Sequence, residues 1–135
     1  MKKSSNSLTG RLAICALVAV TAAAPVQAHH SFAMFDREKQ ITVKGTVKEF
    51  QWTNPHIFIQ IMAPGAGGKL EEWSIEGGSP NMLFRQGWEP TTFKAGDQVT
   101  MVINPLKEGG RGGNFVFATL PNGKTVGNMN ARAPG

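Results

Sequence analysis

The 135 residues carry a formal charge of +5, a single cysteine and no tyrosine. The charge is uneven: Lys2, Lys3 and Arg11 precede the first acidic residue, Asp36, and from residue 29 onward the balance falls to eleven basic against nine acidic residues, or +2. One cysteine excludes an internal disulfide, so small a charge argues against a nucleic-acid partner, and so short a chain leaves no room for a deep active site roofed by lids.

Residues 1–28 read as a secretory signal peptide. After the three cations comes an uncharged apolar run, "LAICALVAVTAAA", then Pro25 and the small-x-small triplet Val26-Gln27-Ala28. The run is shorter than the roughly 20 residues needed to span a bilayer. Cleavage after Ala28 would export the protein to the periplasm or the medium with no stable membrane insertion. It would also remove Cys15 and leave His29 with a free α-amine.

Residues 29–40 then form a segment of candidate ligands, residues 41–122 a β domain, and residues 123–135 a tail whose last residues, "GNMNARAPG", are expected to fray. Within the domain, "ITVKGTVKEF" over 41–50 alternates apolar and polar residues, with a bend or bulge expected at Gly45. "HIFIQIM" over 56–62 is a second strand and "KLEEWSIE" over 69–76 a third, joined as a hairpin through "APGAGG". In "GGSPNMLFRQGW", Ser79 is a good N-cap, Pro80 suits the first helical position and Gly87 ends the run, which predicts a helix over 80–86. "GDQVTMVINP" and "NFVFATL" supply a fourth and a fifth strand, with "GGRGG" between them as a flexible hairpin loop.

Three strands, one short helix and two more strands is the order of the oligonucleotide/oligosaccharide-binding (OB) fold. The expectation is therefore an all-β chain with one short helix, a small five- to six-stranded OB-like Greek-key barrel.

Residues able to carry chemistry are few. Glu71 and Glu72 are adjacent on a strand and so face opposite ways, which is wrong for paired acid/base work. The three histidines are His29, His30 and His56. An N-terminal histidine offers its α-amine and ring Nδ1 to one metal, and one further imidazole would complete the three-nitrogen set called a histidine brace. That set suits the tetragonal preference of Cu(II), although zinc is an alternative. His56, in "WTNPH", is the natural third ligand, and His30 an auxiliary or competing one. Met34, Met62 and Met129 could add a soft thioether, while Asp36, Asn54 and Glu76 are candidates to support the ligands or to add an oxygen.

At these residues the chain resembles a family of small exported bacterial proteins known only as a domain of unknown function. The resemblance lies in "AHHSFAMFD", "KGTVKEFQWTNPHIFIQI", "WSIEGGSP", "GW" and "GDQVT". It implies a small periplasmic β-rich domain and no activity. The function expected from the residues is metal binding, with copper as the cofactor, for sequestration or delivery to another periplasmic protein. A module without metal, binding a ligand or partner on Trp52, Trp73 and Trp88, is the alternative; a copper-dependent redox enzyme is the third reading.

Overall fold

The computed structural model describes residues 32–131. Among them are six strands and one α-helix: β1 (Ile41–Gln51), β2 (Phe58–Pro64), β3 (Leu70–Glu76), α1 (Pro80–Arg85), β4 (Gln98–Pro105), β5 (Gly112–Thr119) and β6 (Thr125–Gly127). The strands lie in the order β3-β2-β1-β4-β5-β6, and a further pairing of β3 with β5 closes the first five into a barrel. Neighbours are antiparallel except at that closing seam, where Ser74, Ile75 and Glu76 pair in parallel with Gly112, Gly113 and Asn114. Five closed strands with a helix between β3 and β4 are the OB-like Greek-key barrel that the order of elements predicts, with β6 added to its edge.

The period-2 patterns are what closes it. Val43 and Val47 of β1, Ile59 and Ile61 of β2, Ile75 of β3, Met101 and Ile103 of β4 and Ala118 of β5 all point inward and are buried in one cluster. Removing each large aliphatic chain from water contributes about 1.5–3 kcal/mol. β1 serves both halves of the barrel, since residues 41–46 pair with β4 and residues 46–51 with β2. Gly45 sits at this changeover, and a Cβ there would strike the Met62 carbonyl and approach Ile61 Cγ2 to 2.6 Å. It therefore permits close approach of β2, while the bulge falls later, between Val47 and Glu49.

α1 covers one end of the barrel. The Ser79 hydroxyl accepts from the Met82 amide at 3.4 Å and Pro80 starts the helix, which turns Pro80 and Leu83 inward. Beyond it, Trp88 meets Phe93 and Phe115 edge-on at centroid distances of 5.6 and 5.0 Å.

Two expectations are corrected. The second strand begins at Phe58, not His56: the Ile57 amide donates to the Gly78 carbonyl at 3.0 Å and its carbonyl accepts from Gly77 at 2.9 Å, so its backbone is taken by the connection after β3. "GGRGG" is only half a loop. Gly109 and Gly110 turn the chain with φ of +81° and +100°, but Gly112 and Gly113 are buried in β5 at the closing seam. The tail adds β6, which pairs Val126 with Ala118, followed by a 3-10 turn over Met129–Ala131.

Candidate functional site

The connection between β1 and β2, residues 52–57, carries His56. Several contacts hold it. The Thr53 hydroxyl donates to the His56 carbonyl at 3.1 Å, the Asn54–Pro55 peptide is cis, and the side chain of Ile57 is wholly buried. With Ile57 bonded on both sides to residues 77 and 78, the histidine has a fixed backbone at the mouth of the barrel.

Glu76 ends β3 and stands in register with Phe58 on one side and Asn114 on the other. Asn114 Nδ2 donates to the Glu76 carbonyl at 3.2 Å, which ties this residue across the seam. From there its carboxylate Oε1 lies 2.6 Å from His56 Nδ1, and the two side chains are only 12% and 21% exposed. With Nδ1–H donating to the carboxylate, Nε2 is the ring's remaining coordinating atom. Histidines that bind metals are commonly oriented in this way, by a carboxylate on the opposite nitrogen.

The segment entering the barrel passes the same place. Phe32–Met34 form a 3-10 turn, and the Phe32 ring meets the His56 ring edge-on at 5.7 Å and 65°. Phe35 behind it is buried and bridges Leu106, the Asp36 amide donates to the Pro105 carbonyl at 2.8 Å, and Lys107 donates to the Met34 carbonyl at 2.9 Å. Residues 32–36 are thereby fastened to the connection between β4 and β5. Between this segment and the barrel lies a cavity of about 200 Å³, lined by Met34, Phe35, Phe58, Glu76, Leu106 and Gly112 among others.

Of the residues singled out from sequence, the structure brings together His56 and Glu76, while Met34 borders the cavity that Glu76 also lines. His29 and His30 lie outside the described residues. Asp36 is used locally, its Oδ1 accepting from the Glu38 amide at 3.2 Å, and Asn54 is exposed on the turn. Met62 lines a groove on another face with Lys44, Thr46 and Pro64, and Met129 sits in the C-terminal 3-10 turn. The three tryptophans differ in burial. Trp88 is 3% exposed, in the core; Trp52 is half-buried with its ring edge-on to Phe50 at 5.7 Å; and Trp73 is half-buried against the core.

Among the described residues, no three His, Cys, Asp or Glu side chains gather into a group that could hold a metal. No helix among them is long and apolar enough to cross a membrane. Sequence reasoning noted Phe32 only within a motif and gave it no role at the site, and it offered Glu76 without its partner. The hairpin held the missing signal, because reflecting it about Gly67 sets Phe58 opposite Glu76 and brings residue 56 to the same end.

No curated protein matches the chain. Among solved structures it is similar to the mitochondrial single-stranded DNA binding protein Rim1 of S. cerevisiae in two crystal forms. One has 14% identity and a TM-score of 0.45, covering 62% of this chain and 93% of that one. The other has 13% identity and a TM-score of 0.44, covering 62% and 92%. The model of a family described as a family of unknown function (DUF6152) matches residues 16–115, most of the sequence. By that match the chain belongs to DUF6152.

Proposed function

We propose that this is an exported copper-binding protein whose working N-terminus is His29. In this reading His29 supplies its α-amine and ring, His56 supplies Nε2, and His30 assists or competes. The role is sequestration or delivery in the periplasm. The observation that supports it is the His56–Glu76 pair, with Nδ1 held at 2.6 Å and the opposite nitrogen left for a ligand. The contact of Phe32 with the same imidazole adds to it, because three residues of chain span at most about 10 Å and His29 is three residues upstream. Zinc would compete for the same nitrogens.

The test is a Cu(II) titration of protein beginning at His29, followed by electron paramagnetic resonance. It is run beside His56→Ala and a variant with one residue added ahead of His29. A one-to-one site with nitrogen hyperfine structure that both changes abolish supports the reading. Copper bound equally well without His56 would sink it.

A second reading, a ligand- or partner-binding module without metal, draws on the fold. OB-like barrels are binding scaffolds whose connections, including those between the first two and the last two strands, flank the ligand. Here the first of these connections carries His56, and the second, through Leu106 and Arg111, borders the cavity beside Glu76. Nucleic acid is not the ligand we propose, since the +2 charge from residue 29 onward gives little attraction for phosphates.

A further inference from the structure

We infer that the Asn122–Gly123 peptide is a site of spontaneous chemical modification, deamidation through a succinimide, and that the change loosens β6 from the edge of the barrel. The inference does not rest on metal binding. Eight asparagines occur in the sequence, and Asn122 is the one followed by glycine. It is exposed, with Gly123 and Lys124, on the turn that joins β5 to β6. That turn is set by the Leu120 amide donating to the Lys124 carbonyl at 2.8 Å and by the Gly123 amide donating to the Leu120 carbonyl at 2.9 Å. Gly123 has φ of +81°, which glycine adopts without steric cost, so the fold itself calls for the labile pair. Asn122 Oδ1 accepts from the Lys124 amide at 2.9 Å, which turns the side chain back over the peptide that follows it.

In the step, the Gly123 backbone nitrogen attacks Cγ of Asn122. The new N–C bond closes the ring, the bond from Cγ to the side-chain nitrogen breaks, and ammonia leaves with the proton lost by Gly123. Water then opens the imide at either carbonyl, giving aspartate or isoaspartate. Two features favour the attack. Gly123 has no side chain to shield its nitrogen, and a Cβ built on it would meet nothing within 4 Å, so the surroundings are open. The Lys124 N–H also points at the oxygen on which negative charge gathers as the ring closes, as backbone amides do in oxyanion holes. One brake opposes them: Leu120 holds the Gly123 N–H, and freeing one exposed hydrogen bond of this kind slows the step about fivefold. Asn128 isolates the part played by glycine. Its Oδ1 accepts from the Asn130 amide at the same 2.9 Å, but the residue after it is Met129, whose side chain hinders the attacking nitrogen.

Isoaspartate carries the chain through its side-chain carbon and so adds one atom to the backbone of the turn. Leu120 and Lys124 then fall out of step, and with them the pairs Thr119–Thr125, Ala118–Val126 and Phe117–Gly127 that join β6 to β5. β6 has only three residues and is the last strand in the sheet, so loss of that register removes its ladder.

The experiment incubates the purified, folded chain at mildly alkaline pH, with peptide mapping by mass spectrometry and an isoaspartyl methyltransferase assay. The expected result is that the peptide bearing Asn122 converts about tenfold or more faster than the one bearing Asn128, at a rate that rises with pH because attack requires loss of the amide proton. In the converted protein, the amides of residues 117–119 and 125–127 should exchange with deuterium about tenfold faster, while β1 to β4 keep their protection. Freshly prepared Asn122→Asp, which adds the charge without lengthening the chain, should keep β6 protected. Conversion at Asn122 no faster than at Asn128, or seen only after unfolding in urea, overturns the site. Converted protein with unchanged exchange in β6, or loosening reproduced in full by Asn122→Asp, overturns the proposed consequence.

Discussion

Nδ1 of His56 and Oε1 of Glu76 meet at 2.6 Å from the two ends of one hairpin, the histidine ahead of β2 and the glutamate closing β3. The contact fixes which ring nitrogen faces outward, so it converts a loop residue into a directed donor.

Replacing Glu76 should therefore act on binding and on stability together. Glu76→Gln keeps an oxygen acceptor and should weaken copper binding by about tenfold, whereas Glu76→Leu should approach a hundredfold. Loss of a hydrogen bond to a charged group should also cost Glu76→Leu about 1.5–3 kcal/mol. Competitive titration and urea unfolding measure the two effects; copper affinity unchanged in Glu76→Leu would show that the carboxylate plays no part in orienting a ligand.

Phe32 should matter to the ligand far more than to the fold. Its ring is 42% exposed, and its edge-on contact with His56 is worth about 0.5–1.5 kcal/mol. Phe32→Ala should change the urea midpoint little while lowering copper affinity by up to about tenfold, because the segment leading back to His29 loses its contact with the imidazole. Phe32→Tyr should behave as wild type. Equal losses of stability and affinity would point to a packing role instead.

Gly113 should tolerate no side chain. A Cβ there would come within 2.6 Å of the Asn104 carbonyl oxygen and 2.7 Å of Ile103 Cδ1, and the first of these is backbone that cannot swing away. Gly113→Ala should destabilise by about 1–3 kcal/mol, and Gly113→Val by more. Chemical denaturation followed by circular dichroism reads this directly, and a neutral Gly113→Ala would mean that β5 can shift without opening the seam.

The tryptophans should separate by burial. Trp88→Ala empties the aromatic cluster with Phe93 and Phe115 and should cost about 3–5 kcal/mol, whereas the half-buried Trp52→Ala should cost well under half of that. The same unfolding curves decide it. A mild Trp88→Ala variant that lost a ligand would return this residue to a binding role.

Much of the barrel was legible because its signals are local. Alternation in "ITVKGTVKEF", the Ser79-Pro80 helix start and the turn residues of "APGAGG" each act within a few residues, and together they fix the order of elements. What could not be read locally was which glycines bend and which pack. Gly112 and Gly113 look like loop residues in "GGRGG", and only contact with β3, nearly forty residues earlier, makes them strand. The candidate site follows the same division. His56 stands out by residue type and Glu76 by its carboxylate, but their meeting depends on the hairpin register. An exposed carboxylate and a buried one look alike in a sequence.

The parallel seam between β3 and β5 has a consequence in time. Glu76 and Asn114 are 38 positions apart, and their pairing must pay for closing that length of chain before it gains any contact. The β2–β3 hairpin sets Glu76 opposite Phe58 across only 18 positions, so the seam tethers a residue that is already placed. The end of the barrel that carries His56 is thus assembled by local pairing first and sealed by the longer closure afterwards.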